Sequence, residues 1–294
     1  MIASDAMPTP ARAWDAIDHI IALDPGDRGI ATIFRPGAAA AAARALRHAR
    51  RVLIVTGFCV EPGLAETDGP PGAAALGRAL RALGARVRWV TDRPVVPLLA
   101  AALSILDEAP DIVEYADAPH AARALLAAER PTHLVAIERP GRNRAGDYVN
   151  MRGQSVAALN LPLDELFIAR GARSRAVTVG VGDGGNEVGM GVIRPRLLRS
   201  RSPMARVASV VKTDHLVVAG VSNWGAYGIV AALARLTGRP LLHSPGQERR
   251  MIEACVAAGA VDGVTRRREP TVDGFPVLVH EAVVALLGLS WGAR

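Results

Sequence analysis

The feature that most constrains the fold is a repeated alternation of short apolar runs, rich in valine, isoleucine and leucine, with longer alanine-rich segments. The runs are too short for helices and end at glycine or a polar residue, which is typical of buried strands. Strands that alternate with helices pair in parallel through right-handed crossovers. We therefore predict a doubly wound α/β fold, a Rossmann-like three-layer sandwich with a mostly parallel sheet and helices on both faces.

The predicted elements run along the whole chain, so we expect residues 1–294 to form a single α/β domain with a short flexible segment at about 1–10. A stretch rich in arginine, serine and proline at 194–203 predicts a surface loop or lid. Strands are predicted at 52–56, 87–91, 134–137, 177–181, 216–219 and 240–243, with weaker candidates near Ile112 and Val277. Helices are predicted at 11–23, 37–50, 72–83, 95–108, 118–129, 163–171, 226–236 and 247–258.

Composition argues against several classes of protein. The formal charge of +7 comes almost wholly from arginine, with Lys212 the only lysine, and aromatic residues make up only 4% of the chain. Scattered arginines without aromatic partners argue against nucleic-acid binding. Cys59 and Cys255 are far apart and belong to no metal-binding motif. No apolar run approaches the roughly 18 residues of a membrane span, and the first residues lack a signal peptide. We expect a cytoplasmic protein. The sequence leaves open whether it forms homo-oligomers.

Ligands of a doubly wound sheet bind beyond the carboxyl ends of its strands, so the loops that follow strands hold the candidate site. The first loop extends from residue 57 to 72, which is long for such a connection and indicates a binding role. Thr67, Asp68 and Gly69 lie just before its Pro-Pro-Gly helix start. Asp68 either caps that helix or binds a ligand, and the sequence leaves both interpretations open.

The second loop places Glu138 and Arg139 directly after the strand at 134–137. An acid and an arginine at the end of a buried strand can bind a carboxylate and transfer its proton. The alternative is an internal salt bridge between structural residues.

The third loop is the strongest signal, because residues 180–191 include six glycines. Successive N–H groups of such a backbone, including those of Gly182, Gly184 and Gly185, can form an anion-binding nest. Asp183, Asn186 and Glu187 add two carboxylates and an amide. This set suits a hard cation such as Mg²⁺, or a general base beside an anion site. A tight structural turn would explain the glycines but not the acids.

The fourth loop follows the strand at 216–219 and contains Ser222, Asn223 and Trp224 at the start of a helix. These side chains can orient a small polar substrate from the helix N-terminus, or they form a cap with a packed tryptophan. Because strand-end loops of a parallel sheet share one edge, we expect all four loops to meet in one pocket. Asp68 and Asp183 should lie within about 10–12 Å of each other.

The four loops together resemble the D-glutamate cyclase family, in particular its C-terminal domain. The resemblance rests on Glu66-Thr67-Asp68-Gly69-Pro70-Pro71-Gly72, Ile137-Glu138-Arg139-Pro140-Gly141, the segment from Gly182 to Gly191 and Ala219-Gly220-Val221-Ser222-Asn223-Trp224-Gly225. It extends from about Arg28 to Gly274. The resemblance implies that the substrate is D-glutamate or a similar amino-dicarboxylate, and that the reaction is dehydration to 5-oxo-D-proline by a carbon–oxygen lyase.

Roles for the candidate residues follow from the chemistry of ring closure. Asp183 or Glu187 can take the proton of the amine, and Arg139 or a bound cation can stabilise the oxyanion. Asp68 or Glu138 can protonate the departing oxygen. No cofactor is certain, and Mg²⁺ or Mn²⁺ held by Asp183, Glu187 and Asp68 is an option.

Two other functions compete with this interpretation. The segment 182–187 is similar to the metal-binding loop of haloacid-dehalogenase-like phosphatases, which are Mg²⁺-dependent. However, Thr56-Gly57-Phe58 follows the first strand, where that family has its nucleophilic aspartate. A non-catalytic domain that binds an amino acid or nucleotide through its glycine nests is the second alternative.

Overall fold

The computed structural model describes residues 14–169, 176–200 and 203–292. The predicted flexible segment at 1–10 lies outside the described residues. The strands are β1 (Arg51–Thr56), β2 (Cys59–Glu61), β3 (Leu64–Ala65), β4 (Arg86–Thr91), β5 (Ile112–Glu114), β6 (His133–Ile137), β7 (Val177–Gly182), β8 (His215–Val218), β9 (Thr271–Val272) and β10 (Phe275–Pro276). The helices are α1 (Ala16–Ile21), α2 (Ala38–Leu46), α3 (Pro70–Ala82), α4 (Val96–Ile105), α5 (Ala121–Glu129), α6 (Glu165–Ile168), α7 (Arg194–Ser200), α8 (Ser222–Thr237), α9 (Pro245–Ala257) and α10 (Val277–Gly292).

A six-stranded sheet with the order β5-β4-β1-β6-β7-β8 forms the centre, and every neighbouring pair is parallel. Numbered by their position along the chain, these strands have the order 3-2-1-4-5-6 of a doubly wound fold. The direction of winding reverses between β1 and β6, which opens a crevice at their carboxyl ends. The predicted fold class is confirmed.

Period-two alternation in the strands divides the core between the two faces of the sheet. In β1, Val52 and Ile54 pack in one hydrophobic cluster, and Leu53 and Val55 pack in the other. Side chains from α1, α2, α3, α4, α8, α9 and α10 join the first cluster, whereas those from α5 and α6 join the second. The sheet is therefore a middle layer with helices on both sides. No helix in the described ranges is long and apolar enough to cross a membrane.

Most predicted elements are present, with their ends moved by a few residues, but two predictions need correction. The run at 240–243 is not a strand, because it connects α8 to α9, and the Arg78 guanidinium instead of a neighbouring strand binds the Leu241 carbonyl. The weak strand candidate near Val277 is present as the two-residue strand β10, and Val277 itself begins α10. The predicted loop at 194–203 contains α7, and its residues 201–202 are outside the described part. Parts of the helices predicted at 11–23 and 163–171 also lie outside it.

Candidate active site

A cavity of about 290 Å³ lies beyond the carboxyl ends of β1, β6 and β7, at the crevice where the winding reverses. Its size is near the lower end of the range for small-molecule pockets, about 300–1,000 Å³. The lining combines charged side chains of both signs with a few apolar ones. The charged residues are Arg28, Glu66, Glu138, Arg152, Asp183, Glu187, Arg266 and Asp273, and the others include Phe58, Val60, Asn150, Met151, Asn186 and Val264.

The turn after β6 sends its two charged side chains in different directions. Glu138 has a left-handed backbone with φ of 42° and lines the cavity, where its carboxylate accepts a hydrogen bond of 2.6 Å from the Ser222 hydroxyl. Arg139 is fully buried, and its guanidinium donates to Asp92 and to the carbonyls of Gly57 and Leu161. Arg139 therefore has the internal structural role that the sequence left open, and the structure places it outside the cavity.

The glycine-rich loop after β7 does form an anion-binding nest, and the protein's own Glu187 fills it. The Glu187 carboxylate accepts N–H bonds from Asp183 (3.1 Å), Gly184 (2.6 Å) and Gly185 (2.7 Å). Gly185 has a φ of 97°, which side chains rarely allow, so the loop needs glycine there. The loop backbone from Gly182 onward is thus an internal support, and it is not free to bind a ligand anion.

Asp183 links the glycine-rich loop to both ends of the described chain. Its Oδ2 lies 2.9 Å from the Arg28 guanidinium, which also lies 3.1 Å from the Asp273 carboxylate. The Asn186 amide donates to the Val149 carbonyl at 2.8 Å and so holds the segment 143–161, here called the strap, over the cavity. Asp183 and Asn186 both line the cavity, as expected for site residues.

The starts of α3 and α8 cap each other. The Asp68 carboxylate accepts N–H bonds from Ser222 (3.0 Å) and Asn223 (2.9 Å) at the start of α8. The Asn223 amide oxygen accepts N–H bonds from Gly69 (3.0 Å) and Gly72 (2.8 Å) at the start of α3. Asp68 therefore caps α8, and not α3, the helix that follows it in the chain. This exchange joins the loop after β1 to the start of the helix after β8, at one side of the crevice.

Two further predicted residues support the site from outside the cavity. The Thr67 hydroxyl donates to the Thr271 carbonyl at 2.7 Å. Trp224 is fully buried, and its indole N–H donates to His280 at 3.0 Å. Both side chains hold neighbouring segments together, so neither contacts a ligand in the cavity.

Carboxyl groups crowd the floor of the site. Oxygens of Asp68, Asp183 and Asp273 lie within 4.8 Å of one another, and so do oxygens of Glu138, Asp183 and Glu187. The expectation that Asp68 and Asp183 meet in one site is confirmed. Either set of three carboxylates can hold a metal ion, since hard divalent cations prefer carboxylate oxygens.

Burial and mutual repulsion raise the pKa values of four of these acids. Burial raises the pKa of Glu138 well above its usual range, and the charges of Asp183 and Glu187 raise it further. Burial also raises the pKa of Asp183, against the opposing effect of Arg28. The pKa values of Glu66 and Asp68 are raised in the same way, by burial first and then by Asp273. Perturbed carboxyl groups in a cleft are typical of sites that bind cations or transfer protons.

The sequence matches the model of a family described as D-glutamate cyclase-like, C-terminal, over residues 17–288. The chain belongs to this D-glutamate cyclase-like family. Human mitochondrial D-glutamate cyclase is 38% identical over 234 residues, which are 74% of this chain and 38% of the human protein. The chain therefore spans about two fifths of the length of that relative. The family match includes every residue that lines the cavity.

Two solved structures are remotely similar to this member of the family. An exopolyphosphatase-related protein from Bacteroides fragilis is 8% identical with a TM-score of 0.42, covering 88% of this chain and 57% of that one. RecJ from Thermus thermophilus, in complex with Mn²⁺, is 16% identical with a TM-score of 0.36, covering 83% and 26%. Similarity at this level carries no argument about function.

Several cavity residues had no role in the predicted site. Arg28, Glu66 and Asp273 lie near the ends of the motifs that carry the family resemblance, but their roles depend on contacts between distant segments. Arg266 belongs to a run of three arginines that reads as a solvated loop. Arg152 lies in the strap, where no strand end marks a site. The sequence offered one signal for these missed cavity residues, which is the presence of charged residues near a glycine, as in 262–266 and 273–274.

Proposed function

We propose that this chain carries the active site of an enzyme that dehydrates D-glutamate to 5-oxo-D-proline, a carbon–oxygen lyase reaction. The observation that carries the proposal is the cluster of buried carboxyl groups beside an arginine in a cavity of about 290 Å³, where burial raises the pKa values of Glu138 and Asp183. Membership of the D-glutamate cyclase-like family supports it. The expected cytoplasmic location and the possible homo-oligomer stay predictions.

The reaction needs one acid and one base but no net proton from solvent. The amine nitrogen attacks the γ-carboxyl carbon, a carbon–nitrogen bond forms, and a carbon–oxygen bond breaks. Two protons leave the ammonium nitrogen, and both depart with the γ-oxygen as water. Groups that accept a proton at nitrogen and return it at oxygen can therefore catalyse the whole sequence.

Glu138 and Asp183 suit these two roles. Arg28 opposes the rise in the pKa of Asp183, whereas neighbouring carboxylates add to that of Glu138, so we assign the ionised form to Asp183 and the proton to Glu138. In the proposed mechanism, Asp183 accepts the proton of the amine and Glu138 protonates the departing oxygen. Their carboxylate oxygens lie within 4.8 Å of each other, which is close enough to face adjacent atoms of one reacting group. Ser222 orients Glu138 through its hydroxyl group.

The residues present also fit Mg²⁺ or Mn²⁺. The donor set consists of carboxylates, and Asp273 Oδ2 is buried without a hydrogen-bond partner in the described part of the chain, whereas Asp183 Oδ2 pairs with Arg28. Asp183 with Glu138 and Glu187, or with Asp68 and Asp273, would hold the ion. A divalent cation there would supply positive charge that polarises the γ-carboxyl group.

The phosphatase alternative has a geometric obstacle. Gly57 follows β1, and a Cβ at this position would lie 2.6 Å from the side chain of Val95. No nucleophilic aspartate can replace it without rearrangement. The non-catalytic binding domain is distinguished from an enzyme by the assay that follows.

The test is to incubate the chain with D-glutamate and to follow 5-oxoproline by chiral chromatography, with Mg²⁺, with Mn²⁺ and after chelation. We expect formation of the D-product, faster than from L-glutamate. Asp183→Asn should abolish turnover, and Asp111→Asn, on the distant end of the sheet, should leave it unchanged. Ligand binding without product under all conditions would favour the binding domain, and phosphate release from p-nitrophenyl phosphate would favour the phosphatase. Loss of turnover on chelation would support the metal site.

A further inference from the structure

Arg266 is a charged residue of the cavity that the proposed mechanism does not use. Its guanidinium lines the cavity, and its buried NH1 has no hydrogen-bond partner among the described residues. Arg28, by contrast, is engaged by Asp183 and Asp273. A buried guanidinium nitrogen without a partner costs free energy, so its presence indicates an anionic ligand.

The loop 262–274 holds Arg266 in this position. Fully buried Asp262 accepts N–H bonds from Val264 (2.8 Å), Thr265 (2.7 Å) and Gly274 (2.7 Å), and its carbonyl accepts the N–H of Arg266 at 2.9 Å. Burial alone would raise the pKa of Asp262, but the N–H bonds outweigh it and keep the carboxylate ionised. One carboxylate thus organises the loop that carries both Arg266 and Asp273 to the cavity.

The backbone at Arg266 has a strained conformation in the position that it occupies. Its φ is 62°, in the left-handed region that arginine rarely occupies. Glu138 and Asp273, which line the same cavity, also have left-handed backbones, with φ of 42° and 56°. Strained residues that share a site are a signature of functional constraint.

The surroundings of Arg266 leave room for one kind of ligand group. Burial and the neighbouring acids raise the pKa of Glu66 overall, although the charge of Arg266 lowers it, and this disfavours the carboxylate form that would neutralise the guanidinium. A carboxylate pairs well with a guanidinium because two parallel hydrogen bonds form. The reacting carboxyl group of the substrate must face Glu138 and Asp183, which leaves the second carboxylate for another part of the cavity.

We propose that Arg266 binds the non-reacting α-carboxylate of an acidic amino acid and that Asp262 is its positioning residue, an inference that rests on the proposed function. Arg266 thereby determines specificity for a dicarboxylate. Arg152 in the strap is the rival cation, since it also lines the cavity, but its side chain is exposed. An exposed arginine is hydrated and gains less from a carboxylate.

The experiment compares D-glutamate with its α-amide, D-isoglutamine, which keeps the reacting γ-carboxyl group. In the wild-type chain we expect kcat/KM to be at least about 30-fold lower for the α-amide, the cost of unpairing a buried charge. Arg266→Gln should lower kcat/KM for D-glutamate by about the same factor through KM and should leave the α-amide unaffected. The variant should then have nearly equal kcat/KM values for the two substrates. Arg266→Lys should restore part of the discrimination.

Two controls isolate the effect. Arg268→Gln makes the same charge change on an exposed residue of the same loop, and we expect it to behave as wild type. Arg152→Gln should preserve the discrimination between the two substrates. If Arg266→Gln discriminates as strongly as wild type, or if Arg152→Gln alone abolishes discrimination, the inference is wrong.

Failure of the reaction and failure of this inference are separable. If the wild-type chain turns over neither substrate, the proposed function fails, and binding of glutarate, a dicarboxylate without an amine, is measured by calorimetry. Binding that Arg266→Gln weakens at least about tenfold and Arg268→Gln does not would support the carboxylate subsite without the reaction. Equal binding of glutarate by all variants, or no binding by the wild type, would overturn the proposed carboxylate subsite.

Discussion

At the scale of single residues, the site depends on one left-handed turn. Because Glu138 has a φ of 42°, its side chain enters the cavity, and the next residue, Arg139, enters the core and pairs with Asp92. Adjacent charged residues thus receive opposite roles, one in chemistry and one in structure. The buried pair of Arg139 with Asp92 holds the turn from below, so the position of Glu138 is set by groups that never meet the substrate.

Glu138→Gln tests the proton-transfer role. Glutamine keeps the shape and can accept the Ser222 hydrogen bond, but it has no proton to give, so we expect turnover of D-glutamate to fall by at least about 100-fold. The melting temperature should not fall, because burial raises the pKa of Glu138 and so favours its neutral form, which glutamine resembles. Glu114→Gln, an exposed strand-end control, should change neither property. Wild-type turnover by Glu138→Gln would remove Glu138 from the mechanism.

Arg266→Gly separates strain from function. Glycine adopts a φ of 62° freely, so relief of strain should offset lost contacts and leave the free energy of unfolding unchanged or about 1 kcal/mol higher. We expect KM for D-glutamate to rise. The matched control is Arg130→Gly, a left-handed position (φ 46°) at the end of α5 and away from the cavity, where KM should not change. Urea titrations and steady-state kinetics measure the two effects.

At the scale of elements, the reciprocal capping of α3 and α8 determines the shape of the crevice. Each cap residue belongs to one helix and satisfies N–H groups of the other, so neither helix can shift without exposing buried donors. The first residue of α8 is Ser222, which orients Glu138. Capping and catalysis are therefore coupled through the first residues of α8.

Asn223→Ala tests that coupling. Removing the amide leaves the N–H group of Gly72 without its partner in the interior and leaves that of Gly69 only the Asp68 carboxylate, which should cost about 2 kcal/mol of unfolding free energy. Turnover should also fall, because the start of α8 and Ser222 move. Ser244→Ala, which removes the exposed capping box of α9, is the control and should cost about 1 kcal/mol without affecting turnover. An unchanged Asn223→Ala enzyme would contradict the coupling.

The sequence predicted the elements that alternate regularly and failed where an apolar run has no clear period. Strand ends were predictable because glycine or a polar residue follows each run. The run at 240–243 has the composition of a strand, yet it crosses between two helices, and only tertiary packing distinguishes these cases. The helix from Val277 was missed because its continuous apolar residues hide the helical period. Arg266 was missed for a different reason, since its partner-free burial exists only in the folded chain.

At the scale of the whole molecule, the buried acids make stability depend on pH. Native Glu66, Asp68, Glu138 and Asp183 have raised pKa values, so the native state retains protons that the unfolded state releases. The unfolding free energy then falls as pH rises above the unfolded carboxyl pKa, about 4, until the native groups ionise. Each retained proton contributes a slope of about −1.4 kcal/mol per pH unit.

Urea unfolding between pH 7 and 8.5 in a chelator measures this slope. The range lies above the titration of His133 and His280, whose pKa values are lowered by burial. We expect a negative slope in wild type and a shallower one in Glu138→Gln. Mg²⁺ or Mn²⁺ should flatten it if the ion replaces the protons. A flat wild-type profile in chelator would mean that these acids are ionised in the native state.

The ion pair of Arg28 with Asp183 and Asp273 also has a consequence for the timing of synthesis. A ribosome supplies Arg28 and Asp183 well before it supplies Asp273 and the loop that carries Arg266. A nascent chain that stops before residue 262 therefore has most of the sheet but an open cavity wall, and its acids lack part of their partners. Cell-free translation with ribosomes stalled before residue 262 should produce chains without the proposed activity. The activity should appear in one step once the segment 262–274 has been synthesised.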